Sequence, residues 1–162
     1  MDERVIYKGN ALQGVDAKGR VAIPHTLRAA IEQNSQVKFV NVSMHLAHNC
    51  LIGFDRAYPT YWNRKTDADE ARELEAGRPF DREGMERDLF GMSDEFAFDD
   101  SGRFVLPSAY RKLAGIEGWA FFVGVNQRFE IWNPRIALET AALSAIVKAS
   151  LRIHLEEKGI VL

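Results

Sequence analysis

The feature that most constrains this chain is a repeat inside it. "VDAKGRVAIP" at residues 15–24 returns in outline as "FDDSGRFVLP" at 98–107, an offset of 83. Aligning Gly19-Arg20 on Gly102-Arg103 also places Val15 on Phe98, Asp16 on Asp99, Pro24 on Pro107 and Arg28 on Arg111. Self-similarity at a fixed spacing marks a duplicated structural unit, which any fold must accommodate. Beyond these turns both copies run through an apolar stretch, "VKFVNV" at 37–42 and "WAFFVGV" at 119–125, with Val40 on Val123. The offset then falls to 78, where "LIGF" at 51–54 meets "FEIW" at 129–132, and the five extra residues of the first copy are assigned to the loop around "SMHLAHN".

Each copy reads as strand, turn, strand, short helix and hairpin. "DAKG" and "DDSG" are turn chemistry, because Asp bonds nearby backbone and Gly accepts positive φ. "RVAI" and "RFVL" leave the turns as short strands. Pro24 and Pro107 then suit the first helical position, where a missing N–H costs nothing. The helices place Leu27, Ala30 and Ile31, or Tyr110, Leu113 and Ala114, inward, and Gly115 stops the second. A unit of about 45–50 residues with four short strands is marginal alone. Two such units should therefore pack about a pseudo-two-fold, bringing both turns onto one structure.

Between the copies, residues 55–90 lose the strand pattern and carry a surplus of three negative charges. "TDADEARELEAG" reads as a solvated helix capped by Thr66 or Asp67 and stopped by Gly77, and "DREGMERDLF" as a second helix. The chain closes on one long helix from Asn133, the cap, and Pro134, the first helical residue. Its apolar residues form two stripes, Leu143, Val147 and Leu151 on one side and Leu138, Ala142, Ala149 and Ile153 on the other. That is more than one small domain easily covers, so a subunit contact is expected. The organisation is α+β: a first repeat domain over 5–56, a charged helical linker over 57–90, a second repeat domain over 91–134, and a C-terminal helix over 135–158.

Composition narrows the function. Of 162 residues 46% are hydrophobic, enough for a core. A net charge of −2 and a pI near 6.1 exclude a protein that coats nucleic acid with bulk positive charge, so any such surface must be local. Cys50 is the sole cysteine, which excludes an internal disulfide and a thiolate metal cluster. With a charged N-terminus and no stretch of about 20 apolar residues, a soluble cytoplasmic protein is expected, with no membrane partner.

Asp16 and Arg20, and likewise Asp99 and Arg103, stand four apart across a glycine turn. A carboxylate that bonds turn amides can also hold a guanidinium, leaving the rest of its donor fork free for guanine or phosphate. Such a pair could instead only staple its turn, but a staple has no need of the same exposed cation twice. Residues 7–28 hold Lys8, Lys18, Arg20 and Arg28 against Asp16 alone; residues 94–111 hold Arg103 and Arg111 against four carboxylates. The first copy should thus dominate phosphate contacts.

"YKGNALQGVDAKGRVAIPHTLR", the second "FDDSGRFVLPSAYR", their spacing and the chain length resemble the MraZ family of bacterial transcriptional regulators, over nearly the whole chain. The resemblance implies two tandem AbrB-like swapped-hairpin domains, ring-like homo-oligomers, and binding of double-stranded DNA through the D-x-x-x-R turns. It further implies a repressor acting at short direct repeats in the promoter of the division and cell-wall gene cluster, its own gene included, in the cytoplasm at the nucleoid. The matching motif positions are Asp16, Lys18, Gly19 and Arg20, then Asp99, Gly102 and Arg103. Ser101 stands where the first copy has Lys18. With Lys8, Arg28 and Arg111 these make up the expected DNA-binding set, in which Asp16, Gly19, Asp99 and Gly102 orient the motif.

Rival readings are weaker. Cys50 with His45 and His48 has no nucleophile or metal-ligand spacing, so packing is expected, and with it no enzyme, metal or cofactor. His25 and His154 read as surface or capping residues. Trp119, Phe121, Phe122, Phe129 and Trp132 read as core rather than a stacking platform for single strands. An antitoxin of the same domain class would need only one copy of the unit. The alternative function is an oligomeric protein-interaction scaffold without specific DNA binding, its turns purely structural.

Overall fold

The strands of the two copies interleave. The computed structural model describes residues 3–162, with β1 (Asn10–Gly14), β2 (Arg20–Ala22), α1 (His25–Ser35), β3 (Phe39–Met44) and β4 (Leu51–Phe54) in the first copy. Helices α2 (Tyr58–Glu75) and α3 (Arg82–Phe90) follow. The second copy supplies β5 (Asp94–Ala97), β6 (Arg103–Val105), α4 (Ser108–Ala114), β7 (Trp119–Val125) and β8 (Arg128–Trp132), and α5 (Pro134–Glu139) and α6 (Ala145–Glu157) close the chain. A six-stranded antiparallel sheet runs β1-β7-β8-β4-β3-β5, and β2 pairs with β6 in a separate two-stranded ribbon. Exchanging the copies reads the sheet order backwards unchanged. The expected pseudo-two-fold thus passes between β4 and β8 and between β2 and β6.

Alternation along the strands sorts side chains to the two faces. On one face Val40, Val42, Ala120 and Phe122 meet Leu27, Ile31, Tyr110 and Ala114 of the short helices and Val21 and Phe104 of the ribbon. On the other, Leu12, Phe121 and Trp132 pack on α5 and α6, while Ile52 and Phe54 pack on Tyr58, Trp62 and Leu89 of α2 and α3. Phe104 is 4% exposed, so truncating it would cost about 3–5 kcal/mol. The ribbon is therefore pinned to the sheet, its other face outward. The aromatic residues expected in the core are there: Phe121, Phe122, Phe129 and Trp132 are buried, with Trp119 packed at the margin.

Several local expectations are corrected. Gly14 pairs with Trp119 and Ala97 with Phe39, so the first hairpin strands lie 119 minus 39, or 80, apart, and Val40 matches Ala120 rather than Val123. Three of the five extra residues therefore lie between helix start and strand, where α1 has 11 residues and α4 seven, and only two in the loop. Pro24 and Pro107 precede the first helical residue, with extended ψ of 143° and 153°. Leu113 is 49% exposed, because Tyr110 and Ala114 already fill the inward positions of so short a helix. Helix α2 begins at Tyr58, eight residues before the expected cap, and Thr66 is buried inside it. The C-terminal helix is broken at Thr140, whose ψ of 143° is extended, and Ser144 caps the second segment.

Candidate nucleic-acid interface

The two turns are near copies of each other in space. Asp16 Oδ1 accepts from the backbone N–H of Lys18 and of Arg20, each at 2.9 Å, and Oδ2 accepts from Arg20 Nε at 2.6 Å. Asp99 does the same with Ser101 N (2.9 Å), Arg103 N (3.0 Å) and Arg103 Nε (3.0 Å). The glycine N–H donates to the Asp carbonyl at 2.9 Å in both turns, with φ of 84° at Gly19 and 81° at Gly102. That φ is open to glycine and strained for any side chain. The carboxylate thus takes three donors, one of them the guanidinium Nε, and leaves both terminal nitrogens of each arginine outward.

The side chains of Arg20 and Arg103 are 57% and 64% exposed, so each ion pair contributes little stability and acts through geometry. Asp16 and Asp99 are held below the ordinary carboxylate range, first by the backbone N–H of Arg20 and of Arg103 respectively. Both therefore stay ionised at neutral pH, fixing the guanidinium.

Ribbon register places the arginines together. Arg20 pairs with Val105 and Ala22 with Arg103, so all four share the outward face while Val21 and Phe104 point to the core. They line a concavity of about 500 Å³ with Asp16 and Asp99. Ala22 and Val105 were absent from the sequence-derived set, although counting two residues on from each arginine would have found them.

The other candidates divide. Lys18 is exposed at the tip of the first turn and has no ion pair among the described residues. Arg28 and Arg111 are half-buried behind the ribbon: Arg28 Nη1 donates to the carbonyls of Ile23 (3.1 Å) and Ser101 (2.6 Å), and Arg111 Nε to that of Leu106 (3.0 Å). Lys8 is exposed but not brought to the turns. It lies at the far end of β1, roughly 20 Å away at strand rise, beside Tyr7, which bonds the fully buried Asp55 carboxylate.

The acidity of the second turn is offset in part by two cations distant in sequence, and a third carboxylate takes a neutral donor from its own segment. Lys38 pairs with Asp100, Arg56 clasps Glu95 with two donors (2.9 and 2.6 Å), and Tyr110 donates to Asp94 at 2.9 Å. None of these pairs follows from counting charges along a segment.

Away from this face Cys50 is buried and His45 and His154 are half-buried, while His48 is exposed. Burial pushes the Cys50 thiol up. His45 is lowered to about 4 by burial, then by Arg128 and His48, and its Nδ1 accepts from the N–H of Ala47 at 2.9 Å. His154, expected at the surface, is half-buried with Nε2 2.8 Å from Asn10 Oδ1. Among the described residues no helix is long and apolar enough to cross a membrane.

Fold and site define a mixed α+β protein of duplicated design that presents two arginines on one β-ribbon. Comparison with known proteins gives the family. A family model described as "MraZ protein, putative antitoxin-like" matches residues 89–136, which hold the second turn. The transcriptional regulator MraZ of Gluconobacter oxydans is 32% identical over 139 residues, covering 83% of this chain and 79% of that protein. Those of Rickettsia canadensis and Shewanella amazonensis are each 31% identical, over 80% and 79% of this chain and 83% and 80% of theirs. The chain belongs to the MraZ family.

Proposed function

We propose that this protein is a transcriptional regulator that binds double-stranded DNA sequence-specifically through Arg20 and Arg103, as a repressor. The observation that carries the reading is the ribbon itself: two strands narrow enough for a major groove about 12 Å wide, with two fixed guanidinium forks on the outer face. Each fork can take guanine O6 and N7 bidentately, and the Val105 and Ala22 side chains offer apolar contact to a thymine methyl. Lys18 adds a phosphate contact at the first turn, and Lys8 one further along a bound duplex.

Repeat units 5–56 and 91–134 form, on this reading, the two halves of one reading body of the AbrB-like swapped-hairpin class. A near-neutral chain gains affinity by avidity rather than bulk charge: a ring-like homo-oligomer facing short direct repeats raises the effective concentration of each further contact. Ile146 and Ile153, 79% and 55% exposed on α6, offer an apolar face for the subunit contact. The operator we infer is a set of direct repeats in the promoter of the division and cell-wall genes, including its own, so that the protein works in the cytoplasm at the nucleoid.

The test is a gel-shift titration on the DNA upstream of its own gene at two salt concentrations. Arg20→Ala and Arg103→Ala should weaken retardation with the fold intact, and binding should fall steeply with salt. Unchanged binding by the double variant would remove the turns from the interface, and no retardation by the parent protein would leave the scaffold reading standing.

A further inference from the structure

Behind the ribbon, each copy reaches into the other's turn. The carbonyl of Gly102 accepts from Ile23 N at 2.9 Å, and that of Gly19 from Leu106 N at 2.8 Å. Ile23 and Leu106 belong to the opposite copies, and their own carbonyls are the ones held by Arg28 and Arg111. Arg28 goes further and donates to Ser101 O of the second turn, 73 residues away in sequence. The glycines make room for this. A Cβ on Gly102 would lie 2.8 Å from Arg28 Nη1, and one on Gly19 would lie 3.0 Å from Arg111 Nε.

We propose that Arg28 is a cross-copy positioning residue that fixes the second turn, and so the aim of Arg103, from the first copy, with Arg111 the weaker counterpart behind Arg20. A guanidinium suits the task because the two N–H bonds of Nη1 lie in the plane of a rigid group and so reach the two carbonyls in fixed directions, which a rotating lysine ammonium on a flexible stem does not offer. With Nη1 engaged twice and Nη2 3.4 Å from His25 Nδ1, Arg28 is committed to protein partners. Its role is to couple the two turns so that both arginines meet DNA at one spacing. The proposal rests on the reading of the turns as DNA readers and reassigns Arg28 and Arg111 from phosphate contacts to their support.

The experiment compares Arg28→Met, Arg28→Lys and Arg111→Met with the parent, by hydrogen exchange without DNA and by DNA titration across salt. Arg28→Met should speed exchange severalfold at residues 99–103 and leave 16–20 unchanged. Arg111→Met should do the reverse, to a smaller extent. DNA affinity of Arg28→Met should fall with the salt slope kept, whereas loss of a phosphate contact would flatten that slope by about 0.9. Arg28→Lys keeps the charge and disturbs folding least, and it should behave like Arg28→Met. A flattened slope, full rescue by lysine, or unchanged exchange at residues 99–103 would each overturn the proposal. If Arg20→Ala and Arg103→Ala leave DNA binding intact, the functional reading fails instead, and the exchange data still decide whether Arg28 positions the second turn.

Discussion

The first and second turns share a shape and differ in surroundings. Corresponding bonds agree within 0.4 Å and the glycine φ angles within 3°. What differs is Lys18 against Ser101 at the tip, and a second turn among carboxylates that Lys38, Arg56 and Tyr110 each engage. Turn geometry is thus set by five consecutive residues, while the charge environment is set by partners far along the chain. Counting Lys38 and Arg56 brings residues 94–111 from −2 to 0, which narrows the contrast with the +3 of residues 7–28 without removing it.

The largest expected effect separates the two readers. A good bidentate contact is worth about 1–3 kcal/mol, so Arg20→Ala and Arg103→Ala should each weaken DNA binding by about fivefold to about 150-fold. The loss at Arg20 should be greater, because Lys18 reinforces its turn. Fluorescence anisotropy on a repeat-containing duplex reads both; equal losses would mean that the tip lysine contributes nothing.

Stability gives the next contrast. A Cβ on Gly19 would lie 2.6 Å from the Leu106 carbonyl, and one on Gly102 would lie 2.8 Å from the Ile23 carbonyl, both at positive φ. Gly19→Ala should cost at least about 2 kcal/mol in denaturant unfolding, and Gly102→Ala somewhat less. Two tolerated alanines would show that these turns do not require the conformation described.

Exchanging the tips sharpens the comparison further. Lys18→Ser should lower the slope of log affinity against log salt by about 0.9, and Ser101→Lys should raise it by the same amount. An unaltered slope in both variants would place the tips off the DNA.

The smallest effect is in acid. Asp16 and Asp99 ionise below the ordinary value of 3.8, so their contribution is fully present above that pH and is lost only as pH falls below it. Asp16→Asn and Asp99→Asn should therefore lower the thermal midpoint equally at pH 7 and pH 5, by an amount that shrinks only as the pH falls below 3.8. A difference that shrinks between pH 7 and pH 5 would contradict the depressed values.

The turns were legible because their chemistry is local: Asp, Gly and Arg at fixed spacing dictate the bonds observed. Doubling made the pseudo-two-fold legible as well. Which strand pairs with which was not, since β1 joins β7 and β5 joins β3 across more than 50 residues. Pairing partners are chosen by burial of both faces, which a single strand does not encode. The helix break at Thr140 escaped notice because the apolar spacing runs on through it, although Ser144 before "AIV" is a cap signal. Arg28 looked like one more cation, and only its distance to Ser101 O shows what it holds.

Hydrogen exchange measured with and without operator DNA tests the central claim, that both turns form one reading face. The account predicts protection on binding at residues 16–22 and again at 99–105, with α6 unaffected by the DNA. Protection confined to the first turn, or falling outside both, would contradict it.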